Sequence, residues 1–456
     1  MRTHTLAGAA AIAASVLVLT SCSGGGGDPS EQAADVDFSA APSGTLSAWG
    51  FENADDVGQS RLDYAAEQLP DVEVTLDATA FDAQKFTTRI AGGNVPDVVQ
   101  MDRRYVTTYA AQGLLMPLDS CFEAKDVTPT DRWYQNVVDD VTYEDAVYAV
   151  SQFYQPPAIL LNMNVLNEAG VSPDAFDTSD MDGLLAAIGK IYQGSGSTPT
   201  RLGFDPVATG QGGLWVLGMG GQLTDDTGKP TLDDPSNAAG IEALKKITDA
   251  QGGYAAVKSF TDSFDTFGDA NQFVSNQVGA QVANQWYPNV LSAYRDQISL
   301  QAVPFRDAEG QPFSLASGTA FVIPAGAKNP AAACAWMTDL TSTDAWMAAG
   351  AARAATIESK DGLNTGLFTG SPEADEKIRS QYVTPTGDSG FDQVISTYYD
   401  VVGSGRSFGS SPAGQDIQNE LNNAITAALL GDKTTEQALA DAQQAAQRAY
   451  DNATAQ

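Results

Sequence analysis

The sequence predicts an α/β protein of two lobes, and three observations carry that expectation. Strand-like and helix-like stretches alternate as β-α-β-α-β-α between Thr45 and Gly113, which makes two crossover units and a parallel sheet. At 456 residues the chain is too long for one core and long enough for two. The acids are dispersed through a sequence that is 43% apolar, so the formal charge of −33 describes the solvated acidic surface of a globular protein and not a disordered tail. That charge also excludes nucleic acid as a partner, because phosphates need Lys and Arg.

Each element has a local cause. Thr45 to Phe51 is a strand ending in the aromatics Trp49 and Phe51. Val57 to Leu69 has Leu62, Ala65, Ala66 and Leu69 on one helical face, and Pro70 closes it. Val72, Val74 and Leu76 alternate as a second strand. Phe86 and Ile90 share a helical face that Gly92-Gly93 ends, and Pro96 opens the short apolar run Val98-Val99, suited to a buried parallel strand. Tyr105 to Gln112 resumes helical spacing until Gly113. Ligands of open α/β sheets bind beyond the carboxyl ends of the strands. Trp49, Phe51 and Glu52 after the first strand, and Met101, Asp102 and Arg103 after the third, are therefore expected on one rim.

Further along, Leu184 to Gln193 reads as a helix, and Gly210 to Trp215 as a glycine loop presenting Trp215. Leu223 to Leu232 reads as a hairpin turning at Asp226-Thr227-Gly228. Asp225, Asp226, Asp233 and Asp234 lack the spacing of a calcium loop and suit turns and caps instead. Asn329-Pro330 caps and begins a helix. Ile417, Leu421, Ile425 and Leu429 repeat every four residues until Gly431, and Thr434 with Gln437 makes a capping box. In the Gly- and Ser-rich stretch 359–412 only helices are placed.

Catalytic chemistry finds little footing. Gly405-Arg406-Ser407-Phe408-Gly409 matches the nucleophile-elbow pattern, yet a serine triad needs a base and the single histidine is His4. A zinc site would have only His4, in the expected leader, and three cysteines to draw on, too few for a ligand set, and no P-loop motif is present. Two carboxylates suffice for glycoside hydrolysis, but nothing in the sequence marks such a pair. The expectation is a protein that is not an enzyme and holds no metal or cofactor.

The stretch Ala91-Gly92-Gly93-Asn94-Val95-Pro96-Asp97-Val98-Val99, followed by Tyr109 to Asp119 (YAAQGLLMPLD), resembles the extracellular solute-binding proteins of ATP-driven importers, in the carbohydrate-binding family related to maltose-binding protein. Ala158 to Asn162, Phe273 to Tyr287, Ser314 to Gly326 and the helix around Trp336 extend the likeness over most of the chain. The family pattern has a tyrosine and a lysine where Leu161 and Met163 stand. The resemblance implies a type II periplasmic-binding-protein-like fold: two α/β lobes around a cleft, joined by three crossings near 149–152, 303–316 and 350–356. The first lobe is then 44–149 with 304–352, and the second 150–303 with 353–456. It implies capture of a mono- or oligosaccharide for a membrane permease, by a monomer.

Pyranose rings offer an apolar face to aromatics and hydroxyls to polar groups. Trp49, Trp215 and Trp286, the last beside Tyr287, are the expected platforms, with Trp286 foremost and facing Trp49 across the cleft. Phe51, Glu52, Asp102, Arg103, Gln152, Tyr154, Ser317 and Arg353 are expected around them. Ferric-ion-binding proteins of the same architecture use adjacent tyrosines, which leaves Tyr398-Tyr399 as a rival site. A peptide receptor and an envelope glycosidase also stay open.

Residues 1–22 have a basic start, an apolar run from Leu6 to Leu19 too short for a comfortable membrane span, and Leu19-Thr20-Ser21-Cys22. This resembles the bacterial lipobox, so Cys22 is expected to carry lipid after cleavage, against an ordinary signal peptide with a chance cysteine. Residues 23–43 are expected to be a flexible tether on the outer face of the cytoplasmic membrane, the only link to the bilayer. Cys121 and Cys334 remain, and the resemblance puts both in the first lobe, where they are expected to form a disulfide, against the alternative of two separate buried thiols.

Overall fold

The structure is a computed structural model that describes residues 33, 36–51, 55–195, 198–207, 212–360 and 362–455. The expected leader, Cys22 and Glu52 lie outside the described residues. Two five-stranded sheets organise the chain. The first runs in the order Val72–Asp77, Gly44–Trp49, Val98–Asp102, Gly318–Val322, Val150–Tyr154. Its first three strands are parallel, as the alternation predicts, and Gly318–Val322 is antiparallel to both neighbours. The second sheet has the order Leu300–Val303, Pro157–Asn162, Val278–Asn284, Thr198–Asp205, Gln193–Ser195.

Local signals place the elements closely. The helix Asp56–Gln68 is capped by the Asp55 carboxylate, which accepts from Gly58 N–H. Pro330–Leu340 is capped by Asn329, and Thr435–Thr454 carries both halves of the Thr434–Gln437 capping box. Gly414–Leu430 stops at Gly431, whose φ of 78° is the left-handed conformation that glycine adopts without strain. Asp225 holds its own turn through the N–H groups of Thr227 and Lys229, and Asp234 caps the helix Pro235–Asp249.

The crossings move relative to expectation. Val150–Tyr154 is a strand of the first sheet, so the first crossing falls at Gln155-Pro156 and not at 149–152. Phe305, Phe313 and Leu315 fill the second lobe's core around Trp215, so the chain returns to the first lobe only at Ala316-Ser317. The helix Thr343–Ser359 packs on Asp56–Gln68, and Pro372–Tyr382 packs on Thr343–Ser359. The chain therefore stays with the first lobe through Tyr382, and the third crossing lies in 383–388 before the helix Ser389–Val401 packs on the second sheet. The reason is the same each time: an apolar face already half covered goes on burying itself against that lobe.

Cys121, in the helix Asp119–Ala124, is bonded to Cys334 in Pro330–Leu340, with their Cα atoms 5.9 Å apart. Inside the stretch expected to be a tether, Phe38 is buried to 3% exposure. Among the described residues no helix is long and apolar enough to cross a membrane.

Candidate functional site

The two adjacent crossings are tied together. Gln155 N–H donates to Ser317 O at 2.8 Å, and Ser317 Oγ donates to Gln155 O at 2.9 Å. Arg103 locks the pair from behind, donating Nη1 to Phe153 O at 3.0 Å, Nη2 to Ala316 O and Nε to Asp140 at 3.2 Å. Gly318 is needed here, because a Cβ would collide with Phe153 O and the Arg103 guanidinium. Burial pushes the Asp140 carboxyl up, against the charge of Arg103 and the hydrogen bond from Ser407 that lower it. Tyr154 adds a further tie, its hydroxyl donating to Val402 O at 3.1 Å and accepting from Asn136 at 3.1 Å.

Above this knot three cavities meet at Gln155, which lines all of them. One of about 310 Å³ lies between Asp102, Arg104 and Ser317 of the first lobe and Asn284, Arg406 to Gly409, Gln418 and Asn422 of the second. A second of about 400 Å³ is walled mainly by the first lobe: Gly50, Phe81, Gln100 to Asp102, Arg104, Tyr105 and Thr319. The third, about 210 Å³, sets Asp55, Val57 and Arg353 opposite Gln285, Trp286 and Asn289. Together they trace the interlobe cleft.

Of the residues expected here, Asp102, Ser317, Trp286 and Arg353 line the cleft, and Arg103 lines it while bonding to both crossings. Asp102 and Arg104 form a half-exposed ion pair at 3.2 Å. Arg353 reaches Asp55 at 2.7 Å and Asp56 at 2.9 Å, fastening two first-lobe helices. Burial disfavours charge on Asp56, but the hydrogen bond and charge of Arg353 outweigh it and hold the carboxyl below its ordinary range. Trp286 is half buried on the second-lobe wall, with Phe267 stacked on it at 6.0 Å and Tyr287 edge-on at 5.7 Å.

The other expected residues are internal. Trp215 is fully buried in the helix Gly212–Gly218, donates to Pro206 O at 3.0 Å and meets Phe305 edge-on, because this stretch is apolar all round and packs instead of looping out. Trp49 lies behind Phe81 with Arg89 over its ring at 4.2 Å, so it does not face Trp286 across the cleft. Phe51 packs on Phe321 and Trp336. Tyr287 is buried with its hydroxyl accepting from Asn271 and Gln272, and burial pushes it up to about 12. Gln152 and Tyr154 are fully buried in the first lobe's wall, beneath the cleft surface.

Sequence reasoning missed the amides Gln100, Gln155, Asn284, Gln285 and Asn289, which carry no motif. It set aside Gly405 to Gly409 as a chance match, yet Arg406 to Gly409 line the cleft, where Ser407 Oγ donates to Asp140. The tyrosine pair does not present two phenolates to one point. Tyr398 donates to Ala283 O at 2.8 Å, while Tyr399 stacks on Phe368, and burial raises both hydroxyls far from ionisation. Among the described residues no group of three or more His, Cys, Asp or Glu is placed to hold a metal.

Two α/β lobes with a polar and aromatic cleft at their crossings suit the enclosure of a small solute. The chain belongs to the bacterial extracellular solute-binding protein family, whose model matches residues 54–346. No curated protein sequence matches it. Among solved structures it is similar to CpMnBP1 with mannotriose bound, at 21% identity and a TM-score of 0.71 over 88% of this chain and 99% of that one. An ABC transporter solute-binding protein from Thermotoga lettingae, bound with α-D-tagatose, shares 21% identity with a TM-score of 0.68 over 90% and 100%. UgpB from Mycobacterium tuberculosis, in complex with glycerophosphocholine, shares 19% with a TM-score of 0.65 over 90% and 99%. At these identities the likeness establishes the fold.

Proposed function

We propose that this protein is the capturing receptor of an ATP-driven importer, closing its lobes on a mono- or oligosaccharide and delivering it to a membrane permease. The observation that carries the reading is a cleft whose adjoining cavities combine an aromatic with polar groups: Trp286 of the second lobe opposite Asp55 and Arg353 in one, and the half-exposed Asp102–Arg104 pair with Ser317 opposite Asn284 and Arg406 in the next. An aromatic face suits the C–H face of a pyranose, and carboxylate, guanidinium and amide groups suit its hydroxyls. Ligand would first stack on Trp286; rotation about the tied crossings at Gln155 and Ser317 would then bring the first lobe's polar wall onto it and form a joint surface for the permease. The lipid on Cys22 would hold a monomer at the outer face of the cytoplasmic membrane. The family is one of binding proteins, and no turnover is expected.

Of those three structural neighbours, two hold sugars and one holds glycerophosphocholine. The choice is tested by thermal shift and calorimetry with mannotriose, α-D-tagatose and glycerophosphocholine. Ligand at a hundred times its Kd stabilises by about 2.7 kcal/mol. A shift with a sugar, at one ligand per chain and without products, supports the reading; a shift with glycerophosphocholine alone, or release of sugar products, overturns it.

A further inference from the structure

The wall of the second cavity conceals an arginine. Arg61 is fully buried under the first sheet, its guanidinium 4.0 Å from the Trp346 ring, with Phe153 and Phe51 at 5.1 and 5.6 Å. It donates Nε to Val57 O at 3.3 Å and Nη1 to Gln152 Oε1 at 3.1 Å, and Nη2 has no hydrogen-bond partner. Among the described residues no carboxylate reaches it within ion-pair distance; its nearest acidic influence is Asp55.

A guanidinium only donates. Gln152 must therefore turn its oxygen toward Arg61, which leaves its amide nitrogen facing outward. That nitrogen donates to Gln100 Oε1. Gln100 in turn must keep its oxygen inward, so its own amide nitrogen faces the second cavity, which Gln100 lines. No acceptor among the described residues takes those hydrogens. Thr319, on the neighbouring strand and lining the same cavity, has a buried hydroxyl without a partner. The orientation of a surface amide, ordinarily free to flip, is thus dictated by a charge two residues behind it.

We propose that Gln100 is a specificity-determining contact offering N–H donors and no acceptor to an oxygen of the ligand, and that Arg61 and Gln152 are the positioning residues that hold it so. The Gln100 contact then favours an ether or hydroxyl oxygen of the ligand over a group that only donates, while Asp102 and Thr319 supply the acceptors of the same cavity. The ligand part of this proposal rests on the carbohydrate reading of the cleft; the orientation does not.

The variant Gln152→Glu reverses the relay. A carboxylate at 152 pairs with Arg61, has no hydrogen for Gln100, and draws the Gln100 amide inward as its donor. On the ¹⁵N-labelled full chain, with Gln100→Leu used to assign the signal, the Gln100 side-chain amide should exchange freely with solvent and slow at least tenfold in Gln152→Glu. Unchanged exchange overturns the orientation. The same variant should raise Tm by about 2 °C or more, because a buried charge gains its partner, yet weaken binding of mannotriose at least tenfold. Stability and affinity falling together would reduce Gln152 to a structural role, and unchanged affinity would remove Gln100 from recognition. Should the parent chain not bind mannotriose, that result counts against the carbohydrate reading for this sugar, while the exchange measurement still decides the relay.

Discussion

The two lobes bury polarity in different ways. In the first it is ionisable groups: Arg61 in its aromatic cage, Arg103 with Asp140, Arg132 donating to Thr338 O at 2.6 Å, and the Asp375 carboxyl accepting from Thr369 and Tyr134. In the second it is mostly amide. Gln251 accepts from Gly203 and Phe204 N–H and donates back to Phe204 O, while Gln272 donates to Gln281, which donates to Asp205. A buried charge demands fixed partners, and breaking such a pair is costly. An amide carries donor and acceptor on one end and can exchange one partner for another. The first lobe is also the one closed by the disulfide. The comparison teaches that the first lobe holds its buried polar groups through fixed partners and the second through exchangeable ones, which makes the second the more adaptable half.

The sharpest way to break that contrast is to remove the disulfide. Cys121→Ala with Cys334→Ala opens a loop of sequence separation 213, for which the chain-entropy model gives about 5 kcal/mol as an upper figure. Urea unfolding should show a loss of about 2–5 kcal/mol, with the first lobe's signal lost at lower urea than the second's. A single unshifted transition would mean that the lobes do not differ in this way.

Asp375 tests the buried ionisable groups. Burial pushes its carboxyl up to about 7, against the lowering by hydrogen bonds from Thr369 and Tyr134. The folded state therefore holds a proton that the unfolded state releases nearer pH 4, so stability should fall as pH rises from about 4 to about 7, by at most about 1.4 kcal/mol per pH unit, and level off above. Asp375→Asn should flatten that slope; a slope unchanged in the variant would assign it to other buried acids such as Asp205, also raised by burial.

Trp286→Ala addresses the adaptable half. Loss of a stacking face should weaken binding of the sugar at least tenfold, about 1.4 kcal/mol, with Tm changed less than by loss of a core tryptophan because the ring is only partly buried. A variant that melts several degrees lower and binds as before would return Trp286 to the core.

The smallest effect on stability is expected at Asp102. Its ion pair with Arg104 is half exposed, and exposed pairs contribute about 0–1 kcal/mol. Asp102→Asn should leave urea unfolding within that range while lowering affinity several-fold. A larger loss of stability than of affinity would make the pair part of the first lobe's framework.

Much of the cleft was only partly legible. Asp102, Ser317, Trp286 and Arg353 were found because each follows a strand or turn with a readable local signal, or matches a family pattern. Gln100, Gln155 and Asn284 were not, since an amide in a strand looks the same whether it faces a neighbour or a ligand. Trp49 and Trp215 were misplaced for a related reason: an aromatic at the end of a strand or after glycines is compatible with a rim and with a core.

What the sequence by itself determined is what lies within a few residues of its cause. The alternation of elements, the Asn329 and Thr434 caps, the stop at Gly431 and the parallel order of the first three strands all follow from local sterics and hydrogen bonding. Tertiary structure alone decided which tryptophan meets solvent, where the chain changes lobes, and that Arg61, Gln152 and Gln100 join in one hydrogen-bonded relay. Each of these depends on groups tens to hundreds of residues apart, where burial and partner geometry, and not local preference, set the free energy.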